Sequence, residues 1–200
     1  MKQLYYSRKG SNSVNNPLYE ATLSNYEWSA YDEIIDNLSV NWYLNDYLTV
    51  KGQFSVTKQY TSSERFYDPL SSKVSVYGTT DTKLQGDLFT GEGSSLSWNS
   101  NAFLYYTRSF GNHNFNFSGG WEASAYNTEN TSAQYRGFPS GQFNSLNYAS
   151  EIYKKPTLTE NTTRRVSILA TLNYTWNDIY LADASVRFDG SSEFGANQKW

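Results

Sequence analysis

RVSILATLNYTWNDIYLADASVRF, from Arg165 to Phe188, is the stretch that decides the fold. Apolar side chains occupy every second position on both sides of a central Asn177-Asp178 pair. Alternation with period two is typical of a β-strand that is apolar on one side only. A short Asn/Asp turn between two such runs predicts an antiparallel hairpin. The apolar positions are Val166, Ile168, Ala170, Leu172, Tyr174, Trp176, Tyr180, Ala182, Ala184, Val186 and Phe188, whereas Leu169 and Leu181 interrupt the polar side.

The same alternation occurs twice more, upstream of this stretch. In each case two alternating runs flank a short turn that is rich in Asn, Asp or Gly. The sequence therefore predicts six antiparallel strands arranged as three hairpins. The hairpins span residues 38–57, 96–124 and 165–188, with turns at Asn45-Asp46, Gly111-Asn112 and Asn177-Asp178.

Strand length and loop length both depart from those of a compact soluble domain. Most predicted strands run for about 9 to 13 residues, the first, near residues 38–44, being shorter. The usual strand has about 5–6 residues, and a tilted strand that crosses a bilayer needs about 9–11. The connections 58–95 and 127–163 each exceed thirty residues, and residues 26–35 are also interpreted as loop. Outer-membrane barrels alternate short turns with long loops in this way.

Charged and aromatic residues fall where a membrane-spanning strand needs them. All five charges inside the predicted strands lie on the polar side, and a Lys or Arg facing lipid at mid-depth would cost about 2–4 kcal/mol. Aromatic rings, which prefer the membrane interface, flank each short turn. The charges are Lys51, Glu122, Arg165, Asp183 and Arg187, and the aromatics are Trp42, Tyr43, Tyr47, Tyr105, Tyr106, Phe110, Tyr174, Trp176 and Tyr180.

These patterns predict an all-β fold, namely a segment of a transmembrane, antiparallel, up-and-down β-barrel. About six strands would form an open, curved sheet that does not close. The alternative is a secreted, soluble β-sandwich that binds carbohydrate, because a sandwich also alternates and keeps charge off its buried face. A sandwich would bury Leu48, Phe117 and Leu172 together between two sheets.

The composition indicates a protein that is not an enzyme and binds neither nucleic acid nor a cofactor. With 16 Lys and Arg against 19 Asp and Glu, the chain has no basic surface for nucleic acid. It has no cysteine and one histidine, His113, which we interpret as a solvated turn residue. Asp189-Gly190-Ser191-Ser192 is interpreted as a β-turn and Gly91 to Ser95 as a flexible loop. No catalytic, metal-binding or cofactor-binding residue is predicted.

Aromatic residues around the second long connection are the one set with ligand-binding potential. They could stack on sugar rings or contact a partner, but packing of the long loop against its neighbours is the favoured interpretation for each. The specific ligand-binding residues therefore stay unknown at this point. The set comprises Tyr126, Tyr135, Phe138, Phe143 and Tyr148.

Three motifs resemble the SusC/RagA family of TonB-linked outer-membrane proteins. Ser185 to Gly195, SVRFDGSSEFG, followed by Asn197 and Lys199, is similar to the family's R-x-D-G-S-S-x-F-G strand and loop. Asn16 to Ala21, NPLYEA, resembles its N-P-L-x-A segment, and Arg136 to Ser140, RGFPS, resembles its G-F-P loop. The motifs occur in order from about residue 15 to the end of the chain.

The resemblance implies a barrel of about 22 strands, filled by a plug, that imports glycans or peptides across the outer membrane without bond chemistry. It implies three kinds of partner, namely membrane lipid, a SusD-like surface lipoprotein and the TonB complex. Residues 1–200 would be part of the barrel domain, with the plug and the C-terminal part of the barrel absent. Since the first residues lack the pattern of a signal peptide, we expect the targeting segment to lie outside this chain.

Overall fold

The computed structural model describes residues 5–7, 13–74 and 82–194. Asn197 and Lys199, which follow the SVRFDGSSEFG motif, lie outside the described residues. A two-stranded sheet and a short helix precede six long strands. Two short 3-10 helices, Thr82–Leu84 and Leu146–Tyr148, lie in the long connections. The elements are β1 (Tyr5–Ser7), β2 (Ser13–Asn15), α1 (Pro17–Glu20), β3 (Tyr26–Asn45), β4 (Leu48–Tyr67), β5 (Asp87–Phe110), β6 (His113–Arg136), β7 (Glu151–Trp176) and β8 (Tyr180–Ser191).

The six long strands form one antiparallel, up-and-down sheet in the order β3-β4-β5-β6-β7-β8, and this sheet does not close on itself. Neighbours in sequence are neighbours in space, as hairpins require. The predicted barrel-segment fold is confirmed. The three predicted turns are also confirmed, since β3 to β4, β5 to β6 and β7 to β8 are each joined by two or three residues.

The register of β7 and β8 confirms the two-faced pattern of the stretch that decides the fold. Ile168 lies opposite Phe188 and Leu172 opposite Ala184 on one side of the sheet. On the other side, Ser167 lies opposite Asp189, Asn173 opposite Asp183 and Leu169 opposite Arg187. Successive side chains point to opposite faces, so the apolar residues share one face and the polar residues share the other.

The predicted extents of the strands were wrong, because the strands are much longer than the alternating runs. β3 has 20 residues and includes residues 26–35, which we interpreted as loop. β5 and β6 have 24 residues each, and Gly91 to Ser95 lies within β5 and is not a flexible loop. The long connections accordingly shrink to residues 68–86 and 137–150.

The short helix α1, which was not predicted from the sequence, is formed by the NPLYEA motif. Asn16 precedes Pro17, and its side-chain oxygen accepts hydrogen bonds from the backbone N–H groups of Leu18 and Tyr19 at 3.0 and 3.4 Å. Asn is a preferred N-cap, and Pro suits the first helical turn because its missing N–H is not needed there. Asn16 and Pro17 of the NPLYEA motif therefore define the beginning of α1.

The β-sandwich alternative is wrong, because the apolar face is not covered by a second sheet among the described residues. The six strands belong to a single sheet. Phe117 and Leu172 remain 37% and 39% exposed, and Leu48 is half-buried. A sandwich would have sealed all three side chains in its core. No helix in the described part of the chain has the length and apolar character needed to span a membrane.

The described residues divide into two compact units. Unit 1 draws on residues 1–32, 60–93 and 130–159, and unit 2 on residues 33–59, 94–129 and 160–200. Unit 1 contains the long connections and a small apolar core, in which Phe66, Leu88 and Phe138 are at most 3% exposed. Unit 2 contains the three short turns.

Candidate functional site

The polar face of unit 2 is organised around Arg187 of β8. The Nε atom of Arg187 lies 2.8 and 2.9 Å from the two carboxylate oxygens of Asp189. Its Nη2 atom donates to the hydroxyl of Ser167 at 3.1 Å and lies 3.4 Å from Glu122. One guanidinium therefore joins β6, β7 and β8 and is neutralised by two carboxylates.

Ser167 is the buried member of this network. Its side chain donates to Asp189 at 2.5 Å, and the residue is only 7% exposed. A cleft of about 240 Å³ opens beside it, lined also by Asn99, Asn101 and Ser124. Its lining of hydroxyls, amides and paired charges can hydrogen-bond a polar solute, whereas it contains no nucleophile–base pair that could carry out chemistry.

The other predicted polar-face charges are paired as well. Arg165 forms an ion pair with Glu193 at 2.7 Å, and Asp183 accepts a hydrogen bond from Asn173 at 2.7 Å. Lys51 lies 5.1 Å from the centre of the Tyr105 ring. Each of the five charges predicted for this face therefore has a polar or aromatic partner within unit 2.

The opposite face of unit 2 carries an aromatic belt beside the short turns, which we define as Tyr47, Tyr106, Phe110, Phe115, Tyr174, Trp176 and Tyr180. Its rings contact one another from strand to strand, with Phe110 and Phe115 at 6.2 Å and Phe115 and Tyr174 at 4.9 Å between ring centres. His113 is exposed, as predicted, but it lies at the end of a strand and not in the turn. It begins β6, and its Nδ1 atom lies 2.6 Å from the Tyr174 hydroxyl.

A second cleft lies in unit 1 and was not predicted from the sequence. It measures about 580 Å³ and is lined by charges of both signs, including Glu27, Arg65 and Lys155. Arg65 lies 3.8 Å from Glu27 and 5.2 Å from the centre of the Phe89 ring. The alternation that identifies the polar face in the hairpins, carried into the extended strands, would have placed Glu27, Arg65 and Lys155 together.

Two of the five loop aromatics, Phe138 and Tyr135, serve packing, which is the favoured interpretation for them. Phe138 is buried against Phe66, with the two rings perpendicular at 5.1 Å, and Tyr135 packs on the same core. Phe143 and Tyr148 contact each other at 5.0 Å while each stays about half exposed. Tyr126 belongs to β6 and not to a loop.

The remaining candidates show no catalytic or metal-binding geometry. The β-turn predicted for Asp189 to Ser192 is placed too early in the sequence, because Asp189 and Gly190 lie within β8. The Asp189 carboxylate is hydrogen-bonded to Arg187 and Ser167. The adjacent carboxylates of Asp32 and Glu33 do not form an acid–base pair either, because they are consecutive residues of β3 and point to opposite faces. Within the described ranges, no group of three or more His, Asp or Glu side chains is placed to hold a metal ion.

A hydrogen-bonded clamp in unit 1, which the sequence analysis also missed, joins α1 to the segment after β4. Glu20 accepts hydrogen bonds from the Ser71 hydroxyl at 2.8 Å and from the N–H and hydroxyl of Ser72 at 2.9 and 2.6 Å. Asn25 donates to Glu20 at 3.2 Å and accepts from the N–H of Asp68 at 2.9 Å. Partial burial alone would raise the pKa of Glu20, but these donors outweigh it and hold the pKa below its ordinary value.

Comparisons with known proteins point to one kind of protein. No protein-family model matches the chain. A TonB-dependent receptor of Formosa agariphila is 30% identical over 99 residues, which cover 49% of this chain and 10% of that receptor. The structure of the RagAB peptide transporter superimposes on 98% of this chain and 21% of its own, with a TM-score of 0.82 and 22% identity. The closed-closed state of the RagAB peptide importer gives a TM-score of 0.77 over the same shares.

The chain therefore spans about a tenth of its curated relative and about a fifth of the solved structures. At 22% identity the solved structures establish the fold of the six strands. The receptor adds a sequence similarity over 99 residues of this chain. Together these findings make half of the chain similar in sequence to part of a TonB-dependent receptor, and give its six strands the fold of a segment of the RagAB transporter.

Proposed function

We propose that this chain forms part of the wall of an outer-membrane nutrient importer, with its apolar face toward lipid and its polar face toward the lumen. The observation that carries the proposal is the register of β7 and β8. It leaves Ile168 and Phe188 uncovered on one side and gathers Ser167, Arg187 and Asp189 on the other. Lipid is the environment that favours an uncovered apolar face in a sheet of this length.

The polar face supports solute passage without bond chemistry. Its charges are held in pairs, so a hydrated solute meets hydroxyls, amides and neutralised charges instead of a strong single-sign field. An unpaired charge would bind an opposite charge tightly and slow its release. We infer that the contribution of this segment to transport is to line the path.

The domain boundaries follow from this proposal. Residues 1–200 belong to the barrel domain, whereas the plug and the strands that close the barrel come from other parts of the protein. The two edge strands, β3 and β8, support this assignment because open edges expose unpaired backbone groups, which a membrane does not tolerate. The greater length of the relatives supports it as well.

The partners are proposed from the resemblance to the SusC/RagA family. Both RagAB structures are described as those of a peptide transporter or importer. We propose that a SusD-like surface lipoprotein covers the loop side of this protein too. The TonB complex would act through regions outside residues 1–200, and lipid would contact the apolar face.

The cargo is a nutrient oligomer, either a glycan or a peptide, and the cleft of unit 1 favours a peptide. Glu27, Arg65 and Lys155 present both signs of charge within one cleft. A peptide carries amino and carboxylate groups that can pair with both signs of charge in this cleft, while a neutral glycan offers it no charged group. Uptake of a labelled peptide mixture, compared with uptake of a neutral oligosaccharide, should fall in a Lys155→Glu variant only for the peptides.

Spin labelling of the full-length protein tests the orientation of the two faces. Labels at Val50, Trp98 and Ile168 should be accessible to oxygen, which partitions into lipid. Labels at the neighbouring positions Lys51 and Asn99 should be accessible to a water-soluble nickel reagent instead. These adjacent pairs are matched controls because each pair shares its depth and differs only in the face. Reversed accessibilities would overturn the proposal.

A further inference from the structure

Arg108 is a cation on the apolar side of the sheet. It lies in β5 two residues after Tyr106 and two before Phe110, so all three side chains leave the strand on the same face. Its guanidinium lies 4.5 Å from the centre of the Tyr47 ring and 4.5 Å from that of Phe110. Both rings belong to the aromatic belt, so Arg108 is embedded in the belt itself.

No carboxylate in the described part of the chain neutralises Arg108. Four other arginines, Arg65, Arg136, Arg165 and Arg187, each form an ion pair with Asp or Glu. For Arg108 the structure shows only the two ring contacts. Its side chain is exposed, so the N–H groups that the rings do not cover face outward.

The position of Arg108 matches the interface of the membrane. A cation facing lipid costs about 2–4 kcal/mol at mid-depth but about 0–1 kcal/mol near the interface, and aromatic rings concentrate at that interface. The anionic groups at this depth are the phosphates of the lipid head groups. A guanidinium is planar and presents paired N–H donors that match a phosphate, and its contacts with Tyr47 and Phe110 hold that plane in place.

We propose that Arg108, held between Tyr47 and Phe110, binds the phosphate of a membrane phospholipid at the turn side of the sheet. This inference rests on the proposed orientation of the apolar face toward lipid. The occupant is a lipid phosphate and not a protein partner, because the site combines one positive charge with an apolar, aromatic surround. The phosphate supplies the missing counter-charge, and the acyl chains cover the apolar face beside it.

Native mass spectrometry of the full-length, delipidated protein tests the proposal. The probes are dioleoyl-phosphatidylglycerol and monogalactosyl-dioleoylglycerol, which has the same chains and no phosphate. Arg108→Gln should weaken the first phosphatidylglycerol adduct roughly fivefold, the effect expected for one basic residue at a lipid surface, and should leave the galactolipid adduct unchanged. Lys51→Gln is the matched control, because Lys51 is also an exposed cation over an aromatic ring but lies on the polar face.

Further outcomes separate charge recognition from packing. Arg108→Lys should keep phosphatidylglycerol binding within about twofold of the parent, since lysine also binds phosphate as a point charge. A loss in Arg108→Lys as large as that in Arg108→Gln would assign the effect to packing on the rings and overturn the proposal. Equal binding of the two lipids by the parent would also overturn it.

The spin labels at Val50 and Ile168 distinguish the two proposals. If these labels report lipid while Arg108→Gln leaves the adducts unchanged, the phosphate site is wrong and the barrel assignment stands. If the labels report water, the proposed function itself fails.

Discussion

The guanidinium of Arg187 and the carboxylate of Asp189 lie side by side on the same strand, with Nε at 2.8 and 2.9 Å from the two oxygens. The two residues are separated by one position, so both point to the polar face. Ser167 and Glu122 complete the network from the neighbouring strands. A single arginine therefore connects three strands on the face that we assign to the lumen.

Replacing Arg187 with Gln should lower the thermal stability of the barrel. The change leaves the carboxylates of Asp189 and Glu122 close together without a cation and removes a donor from Ser167. The measurement is the temperature at which full-length protein loses its folded mobility in denaturing gels. Arg165→Gln is the control, since Arg165 is an exposed residue with one ion-pair partner and exposed pairs contribute little. An equal shift of the unfolding temperature in the two variants would contradict a stabilising role of the Arg187 network.

Gly120 should not tolerate a side chain. A Cβ at this position would overlap the backbone carbonyl oxygen of Ala102 on the neighbouring strand, so β5 and β6 would have to separate. We expect Gly120→Ala to destabilise the folded state by about 1–3 kcal/mol, the usual effect of forcing extra volume into a packed site. Urea titration in detergent micelles measures this change.

Gly52→Ala provides the matched comparison for Gly120→Ala. The nearest atom to a Cβ at Gly52 is the carbonyl oxygen of Asn101 at 3.8 Å, an ordinary contact distance. The free energy of unfolding of this variant should lie within about 0.5 kcal/mol of that of the parent, as is usual for surface substitutions. Equal destabilisation of the two variants would mean that strand spacing does not limit position 120.

Phe138→Ala should loosen the connection 137–150 without unfolding the strands. Phe138 is 3% exposed and closes the small core with Phe66 and Leu88, and truncation of such a residue costs about 3–5 kcal/mol locally. Limited proteolysis should cut within 137–150 faster in this variant. Phe143→Ala should change the rate little because Phe143 is 46% exposed. A rate unchanged in Phe138→Ala would show that the core does not hold the connection.

Acid should release the clamp between α1 and the segment after β4. Hydrogen bonds to the Glu20 carboxylate outweigh its partial burial and hold its pKa below the ordinary value of a glutamate. A lowered folded-state pKa contributes stability above the unfolded-state value and loses it as the pH falls through the folded-state value. The protection of the amides at residues 68–74 against hydrogen exchange, relative to the intrinsic rate at each pH, should therefore fall below about pH 4.3.

A Glu20→Gln variant controls for other effects of acid. Its exchange at residues 68–74 should already be faster at pH 7, because an amide offers one acceptor oxygen where the carboxylate offers two. It should also respond less to acid than the parent. Identical pH profiles for the two proteins would assign the acid response to another group.

The two faces of the hairpins could be predicted from the sequence because alternation is a local property. The position of a residue along the strand decides the face to which its side chain points, and Ile168 and Arg187 lie on the faces predicted for them. The full extent of the strands could not be predicted, because the alternation within residues 26–35 breaks at Tyr31 and Asp32. A short alternating run on the far side of such a break does not by itself distinguish a strand from a loop.

The contacts within the candidate site depend on register and on distant segments. Alternation places Glu122 and Arg187 on one face, but only the pairing of β6, β7 and β8 brings them to 3.4 Å. Glu20 and Ser72 are separated by 52 positions, and no local pattern joins them. Arg108 is different, since continuing the alternation past Tyr106 would have placed it on the apolar face.

The turn between β7 and β8 has a consequence for the evolution of the gene. Asn177 and Asp178 both adopt a φ of 58°, and the N–H of Ile179 closes the turn on the carbonyl of Trp176 at 3.2 Å. Inserting or deleting one codon in this turn would shift the register by one and invert the two sides of the hairpin. Selection should therefore remove single-codon length changes here and accept them in the connection 137–150, which is long enough to absorb one residue without shifting the pairing of β6 with β7.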